Sequence, residues 1–66
     1  MLVSKNLEGK KIGGANLSEA ILTGADLSKA CLIETDLRWA NLNNVDLSWA
    51  DLSNANLNKA NLTRVR

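Results

Sequence analysis

An aliphatic residue recurs at every fifth position of this chain: Leu2, Leu7, Ile12, Leu17, Leu22, Leu27, Leu32, Leu37, Leu42, Leu47, Leu52, Leu57 and Leu62. From residue 15 onward a small residue stands two places before each one: Ala15, Ala20, Ala25, Ala30, Thr35, Ala40, Val45, Ala50, Ala55 and Ala60. Asn or Asp usually separates the two, as in Ala15-Asn16-Leu17 and Ala25-Asp26-Leu27. A fixed internal period marks units that stack on one another, so shape is far more legible here than task.

Ala and Leu are strong helix formers, yet the spacing argues against a helix. Leucines five apart fall roughly 140° apart around a helix and leave no apolar stripe. Read as an extended segment, the small residue and the leucine share one face, with the intervening Asn or Asp on the other. The two remaining residues then turn the chain. If each pentad makes one side of a square, four pentads close a coil, and Leu17, Leu37 and Leu57 stack vertically, as do Leu22, Leu42 and Leu62. Hydrogen bonding would hold neighbouring coils about 4.8 Å apart. The narrow interior accounts for the alanine-sized second inward residue. Lys5 and Lys10 occupy that slot near the N-terminus, which requires an open first coil with the ammonium groups reaching outward.

These residues resemble the pentapeptide-repeat family, whose consensus is similar to A-(D/N)-L-x-x. Ala25-Asp26-Leu27-Ser28-Lys29, Ala40-Asn41-Leu42-Asn43-Asn44 and Ala50-Asp51-Leu52-Ser53-Asn54 match directly. Residues 15–66 form the regular repeats and 1–14 a degenerate start, so 1–66 is read as a single domain. The resemblance implies an all-β fold, a right-handed quadrilateral parallel β-helix of about three coils. Handedness and the four-sided section come from the family, not from the spacing.

Charge adds a distribution rather than a sign. The net charge is +1, but Glu19, Asp26, Glu34, Asp36, Asp46 and Asp51 make an acidic waist interrupted only by Lys29 and Arg38. Lys5, Lys10 and Lys11 precede it, and Lys59, Arg64 and Arg66 follow it. Cys31 is the single cysteine, so no intrachain disulfide can form and a reducing compartment suits the chain. No signal-peptide core and no membrane-length apolar run is present, and a soluble, cytoplasmic protein is expected.

The chain has no histidine, which removes His triads, His metal sites and imidazole bases. Cys31 stands where Asn or Asp is usual, between Lys11 and Asp51 in the expected stack, and reads as a tolerated substitution. Asp26 and Asp46 share one column beneath Asn6. They could hold a hard cation, but read better as Asx residues that cap turn amides. Catalytic, cofactor-binding and metal residues are therefore none. Thr23 and Thr63 share a column that Asn43 interrupts, which weakens any ice-binding row.

Trp39 and Trp49 are the most informative departures. Both occupy the second variable position, at outward corners on opposite sides, with Trp39 between Glu19 and Lys59 and Trp49 between Gly9 and Lys29. Lysine stems can pack on the indoles with a gain of about 0.5–1 kcal/mol. Ile21 lies near Trp39, and Cys31 and Ile33 lie near Trp49, so Trp39, Trp49, Ile21 and Ile33 form the candidate interaction surface.

The expected function is a non-catalytic structural or protein–protein interaction module without cofactors. The family also supplies a DNA-mimicking, gyrase-interacting class and a cyanobacterial regulatory class. The short length, modest acidic charge and basic ends speak against the first, and the second rests on fold analogy. A protein partner is expected, with neither nucleic acid nor membrane. Leu57, Leu62 and Val65 mark the C-terminal edge as a candidate homodimer face. Leu37→Asp is expected to unfold the coil and Asn43→Asp, as an outward position, to be silent.

Overall fold

The structure, a computed structural model, describes residues 2–66. It contains no helix among those residues, and the chain turns once in every pentad. In each turn the amide two residues before a core leucine donates to the preceding leucine carbonyl: Lys5 to Leu2 at 3.2 Å, Ala25 to Leu22 at 2.9 Å, Val65 to Leu62 at 3.2 Å. The third residue of each turn has positive φ and the second does not, from 54° at Ser4 to 74° at Gly14. That is the type II pattern.

A turn in every pentad leaves room for one bridged residue rather than for a strand. Parallel bridges link Asn6 to Asp26 to Asp46, Lys11 to Cys31 to Asp51, Asn16 to Asp36 to Asn56, and Ile21 to Asn41 to Asn61. Each column joins residues twenty apart, so the chain passes through four pentads before it meets itself. The continuous parallel strands expected of a β-helix are thus shortened to isolated bridges. The turn takes the residues that would lengthen them.

All five amides of a regular pentad find acceptors. In the pentad around Leu27, Asp26 N–H donates to Lys5 C=O at 2.9 Å and Leu27 N–H to Asp46 C=O at 2.8 Å. Lys29 N–H donates to Ser48 C=O at 2.8 Å, and Ala30 N–H closes the turn on Leu27 at 3.1 Å. The fifth, Ser28 N–H, donates to Asp26 Oδ1 at 2.9 Å. This last bond explains the Asn or Asp before each leucine. Its side-chain oxygen reaches the one amide that neither the turn nor the next coil can serve. The same cap joins Asn6 to Glu8, Asn16 to Ser18, Asp36 to Arg38, Asn41 to Asn43, Asp46 to Ser48, Asp51 to Ser53, Asn56 to Asn58 and Asn61 to Thr63. Lys11, Ile21 and Cys31 cannot supply it, and the amides of Gly13, Thr23 and Ile33 carry no such bond.

Burial follows from the twenty-residue register. Leu22, Leu27, Leu32, Leu37 and Leu42 are fully buried, with Ala25, Ala30, Thr35, Ala40 and Val45 beside them. Each has a stacked neighbour on both sides. Leu2 to Leu17 and Leu47 to Leu57 have one on a single side and are half-buried, and Leu62 is 45% exposed. Lys5 and Lys10 are exposed despite their inward slots. Thr35, the one polar residue of the core, donates its hydroxyl to the Ile12 carbonyl at 3.3 Å. Extents of 23 × 20 × 19 Å make the stack about as tall as it is wide.

One outward expectation needs correction. Asn43 is half-buried, and its Oδ1 is covered by protein without a hydrogen-bond partner. A carboxylate there would lose solvation on that oxygen, so Asn43→Asp is not a silent change. Asn58, exposed at the equivalent turn position, is the appropriate control.

Several caps also carry charge. Asp36 falls from its ordinary 3.8 to about 2, first because the Arg38 guanidinium hydrogen-bonds it. Arg38 Nε donates to Oδ1 at 2.9 Å and Nη2 to Oδ2 at 2.7 Å, and the Arg38 amide adds a third bond. The pairing raises Arg38 in turn. Asp46 is lowered chiefly by the Ser48 hydroxyl and then its amide, with Arg66 adding charge. Asp51 is lowered by the Ser53 hydroxyl and amide.

Leu37→Ala should cost about 2–5 kcal/mol and Leu37→Asp should abolish folding, while Asn58→Asp stays within about 0.5 kcal/mol. Chemical denaturation followed by circular dichroism checks this, and equal tolerance would defeat the inward assignment. Lys11→Asn supplies the cap that the Gly13 amide lacks and should add about 0.5–1 kcal/mol; a lower melting midpoint would contradict the role given to Asx.

Acid should act through the carboxylates whose folded pKa is depressed. Their contribution is complete above the ordinary carboxylate value and is lost as pH falls through the folded one. For Asp36 that window runs from 3.8 down to about 2. Asp36→Asn keeps the turn cap and removes the ion pair. Its melting midpoint should therefore fall less steeply with acidification across this window than that of the wild type, and parallel curves would overturn the assignment.

Candidate functional site at the outer corners

Capping occupies the regular polar rows. Asp26, Asp46 and Asp51 each accept the amide and the hydroxyl of the serine two residues on. Asn16 and Asn61 do the same with Ser18 and Thr63. Asn6, Asp26 and Asp46 do share one column, and each is bound to its own turn. Among the described residues no group of three or more His, Cys, Asp or Glu side chains comes together as a metal-binding set. Cys31 is a half-buried free thiol. Its sulfur lies 3.8 Å from where a Gly13 β-carbon would stand, and that β-carbon would also meet the Ile33 carbonyl at 3.0 Å. Gly13 thus lets the first coil lie close over the second.

What remains free is the second variable position of each pentad, which projects from a corner. The left-handed backbone there suits Gly9, Gly14 and Gly24 and is uncommon for bulky residues. Trp39 and Trp49 both adopt it, with φ of 63°. Ten residues apart in a register of twenty, they stand on opposite corners and do not form one aromatic cage.

Their surroundings differ. Trp39 is 63% exposed and has Lys59 Nζ 6.0 Å from its ring centroid, one turn further along the same corner. Trp49 is 89% exposed. Lys29, the expected stacking partner of Trp49, instead faces Glu8 with its Nζ 4.0 Å from the carboxylate. Of the two lysine–indole stackings expected from the register, the structure places Lys59 on Trp39 and turns Lys29 to Glu8.

Ile21 and Ile33 are exposed, at 38% and 36%. Val3, at 49%, is a further exposed apolar residue that the reading of the sequence passed over. Its signal was an aliphatic residue in the turn position where Ser, Asn or Thr is usual. In the last coil Leu57 and Val65 are half-buried and Leu62 is exposed. Beside them is an open hollow lined by Asn44, Asp46, Arg64, Val65 and Arg66. No helix among the described residues is long and apolar enough to cross a membrane.

Comparison with known proteins agrees with this geometry. The profile of the family described as Pentapeptide repeats (8 copies) matches residues 6–38 and 30–66. No curated protein matches the chain. Among solved structures, the chain is similar to a pentapeptide repeat protein from the thylakoid lumen of Arabidopsis thaliana. The TM-score is 0.83 at 30% identity, covering 97% of this chain and 48% of that one, so the chain spans about half the length of this relative. With its pentads, turns and twenty-residue bridges in place, the chain belongs to the pentapeptide repeat family.

Proposed function

We propose that this chain is a non-catalytic structural or protein-interaction module, a right-handed, four-sided coil of about three turns whose corners present side chains to a protein partner. The observation that carries this reading is Trp49, a large aromatic residue 89% exposed at a corner where its own coil offers nothing to cover it. Exposed tryptophan is costly to leave in water and is a frequent anchor of protein interfaces. Trp39, Ile21 and Ile33 supply further apolar contact. The regular Asn and Asp rows hold turn amides, so they serve the coil rather than a substrate.

Self-association is a second mode of the same module. Leu57, Leu62 and Val65 give the last coil an apolar edge, and two such edges meeting about a two-fold axis would make a closed dimer. Lys5 and Lys10 make the opposite edge charged and less suited to it.

Trp39→Ala and Trp49→Ala should leave the melting temperature near the wild-type value and reduce affinity capture of protein from the source cell. Leu62→Lys should lower the sedimentation mass from dimer toward monomer. Identical capture by wild type and both tryptophan variants would sink the corner reading, and a monomeric wild type at high micromolar concentration would sink the edge.

A further inference from the structure

We infer that the backbone amides of Gly13 and Ile33, with Lys11 beside them, form a docking point for a carboxylate side chain of a partner protein. This rests on the interaction-module reading above and gives the chemistry of one contact the partner makes.

Every pentad has one amide, at its first variable position, that neither turn nor bridge serves. Elsewhere its acceptor is an Asn or Asp oxygen, as from Ser28 to Asp26 at 2.9 Å and from Ser53 to Asp51 at 3.0 Å. Lys11 and Cys31 stand where that oxygen belongs, so Gly13 N–H and Ile33 N–H have no acceptor among the described residues. A parallel bridge pairs Lys11 with Cys31, which sets the two free amides in adjacent coils on one face. The missing bond is internal to each pentad and is the same whatever lies above or below it. The occupant it calls for is the group that serves the other pentads, a carboxylate or amide oxygen, with Lys11 favouring the anion.

The surface between the two amides is open. A β-carbon on Gly13 would stand 3.7 Å from the Ile33 nitrogen and 3.8 Å from Cys31 Sγ. With only hydrogen there, both donors border one shallow notch, and Gly13, Ile33 and Lys11 are all exposed. Coils about 4.8 Å apart give a donor spacing that the two oxygens of one carboxylate can bridge at ordinary hydrogen-bond lengths. The like charges on this face are Asp51, one coil beyond Cys31 and bound to Ser53, and Glu34 at the corner after Ile33. Lys10 and Lys11 offset them. Thr23, the third uncapped amide, lacks both features. Ile21 replaces the lysine, and the Asn43 amide in the next coil is already capped by Asn41 at 3.1 Å.

The test is two-dimensional amide NMR of the isotope-labelled full chain, with sodium chloride exchanged stepwise for sodium acetate at constant ionic strength. The Gly13 and Ile33 signals should move along one common saturable curve, while Thr23 and the capped Ser28 and Ser48 amides stay in place. Lys11→Asn supplies an internal cap and should abolish the Gly13 shift; Cys31→Asp should do the same for Ile33. Lys11→Met keeps the free amide but removes the charge, and should weaken acetate binding on the order of 2-fold. Melting temperature checks that each variant is folded. An end-blocked peptide of alternating glutamate and glycine should move the same two signals, and its arginine–glycine counterpart should not.

Gly13 and Ile33 shifts no larger than that of Thr23, or shifts that survive in the combined Lys11→Asn and Cys31→Asp variant, would overturn the assignment. Inorganic phosphate acting on these amides at far lower concentration than acetate would overturn the choice of carboxylate. Acetate binding without any response to the glutamate peptide would overturn docking of a partner side chain. None of these outcomes involves Trp39 or Trp49, so each leaves the interaction-module reading in place. Partner capture indifferent to both tryptophans defeats that reading and leaves the acetate titration unchanged.

Discussion

Satisfying every backbone amide within a five-residue unit is the constraint on which this molecule depends. Turn and bridge between them serve four amides of a pentad that has a coil after it, and where Asn or Asp precedes the leucine its side chain serves the fifth. Where Lys11, Ile21 or Cys31 stands instead, that amide goes without the side-chain bond while the turn itself still closes, as between Ala25 and Leu22 at 2.9 Å. The interior that results is narrow. It accepts one aliphatic and one small residue per pentad, which is why Ala25, Ala30 and Ala40 recur and why Val45 and Thr35 are the largest substitutes. Core composition is therefore a consequence of how often the chain turns.

Much of this was legible in the sequence because stacking is arithmetic. The fully buried stretch from Leu22 to Val45 is the set of residues with neighbours twenty positions before and after. Lys59 over Trp39 follows from the same sum. The capping role of Asp26 and Asp46 was legible from Asx chemistry alone.

What was not legible depends on contacts that the period does not order. The left-handed turn residue is hidden, because Glu19, Lys29, Glu34 and both tryptophans adopt it without any preference for it. Only the glycines Gly9, Gly14 and Gly24, with Asn44 and Asn54, hint at it. Asn43 looked like one more outward polar residue, yet its oxygen is covered. Lys29 could have joined either Glu8 or Trp49, and spacing cannot rank an ion pair against a cation–π contact.

The twenty-residue register turns length along the chain into direction around it. Adding or removing one pentad between two surface residues moves the later one to the next corner and leaves the inward pattern intact. Trp39 and Trp49, two pentads apart, face away from each other; two further pentads inserted between them would set the indoles one above the other on a single corner. Surface geometry in such a molecule can thus be rewritten by small duplications or deletions in multiples of five, without any substitution in the core.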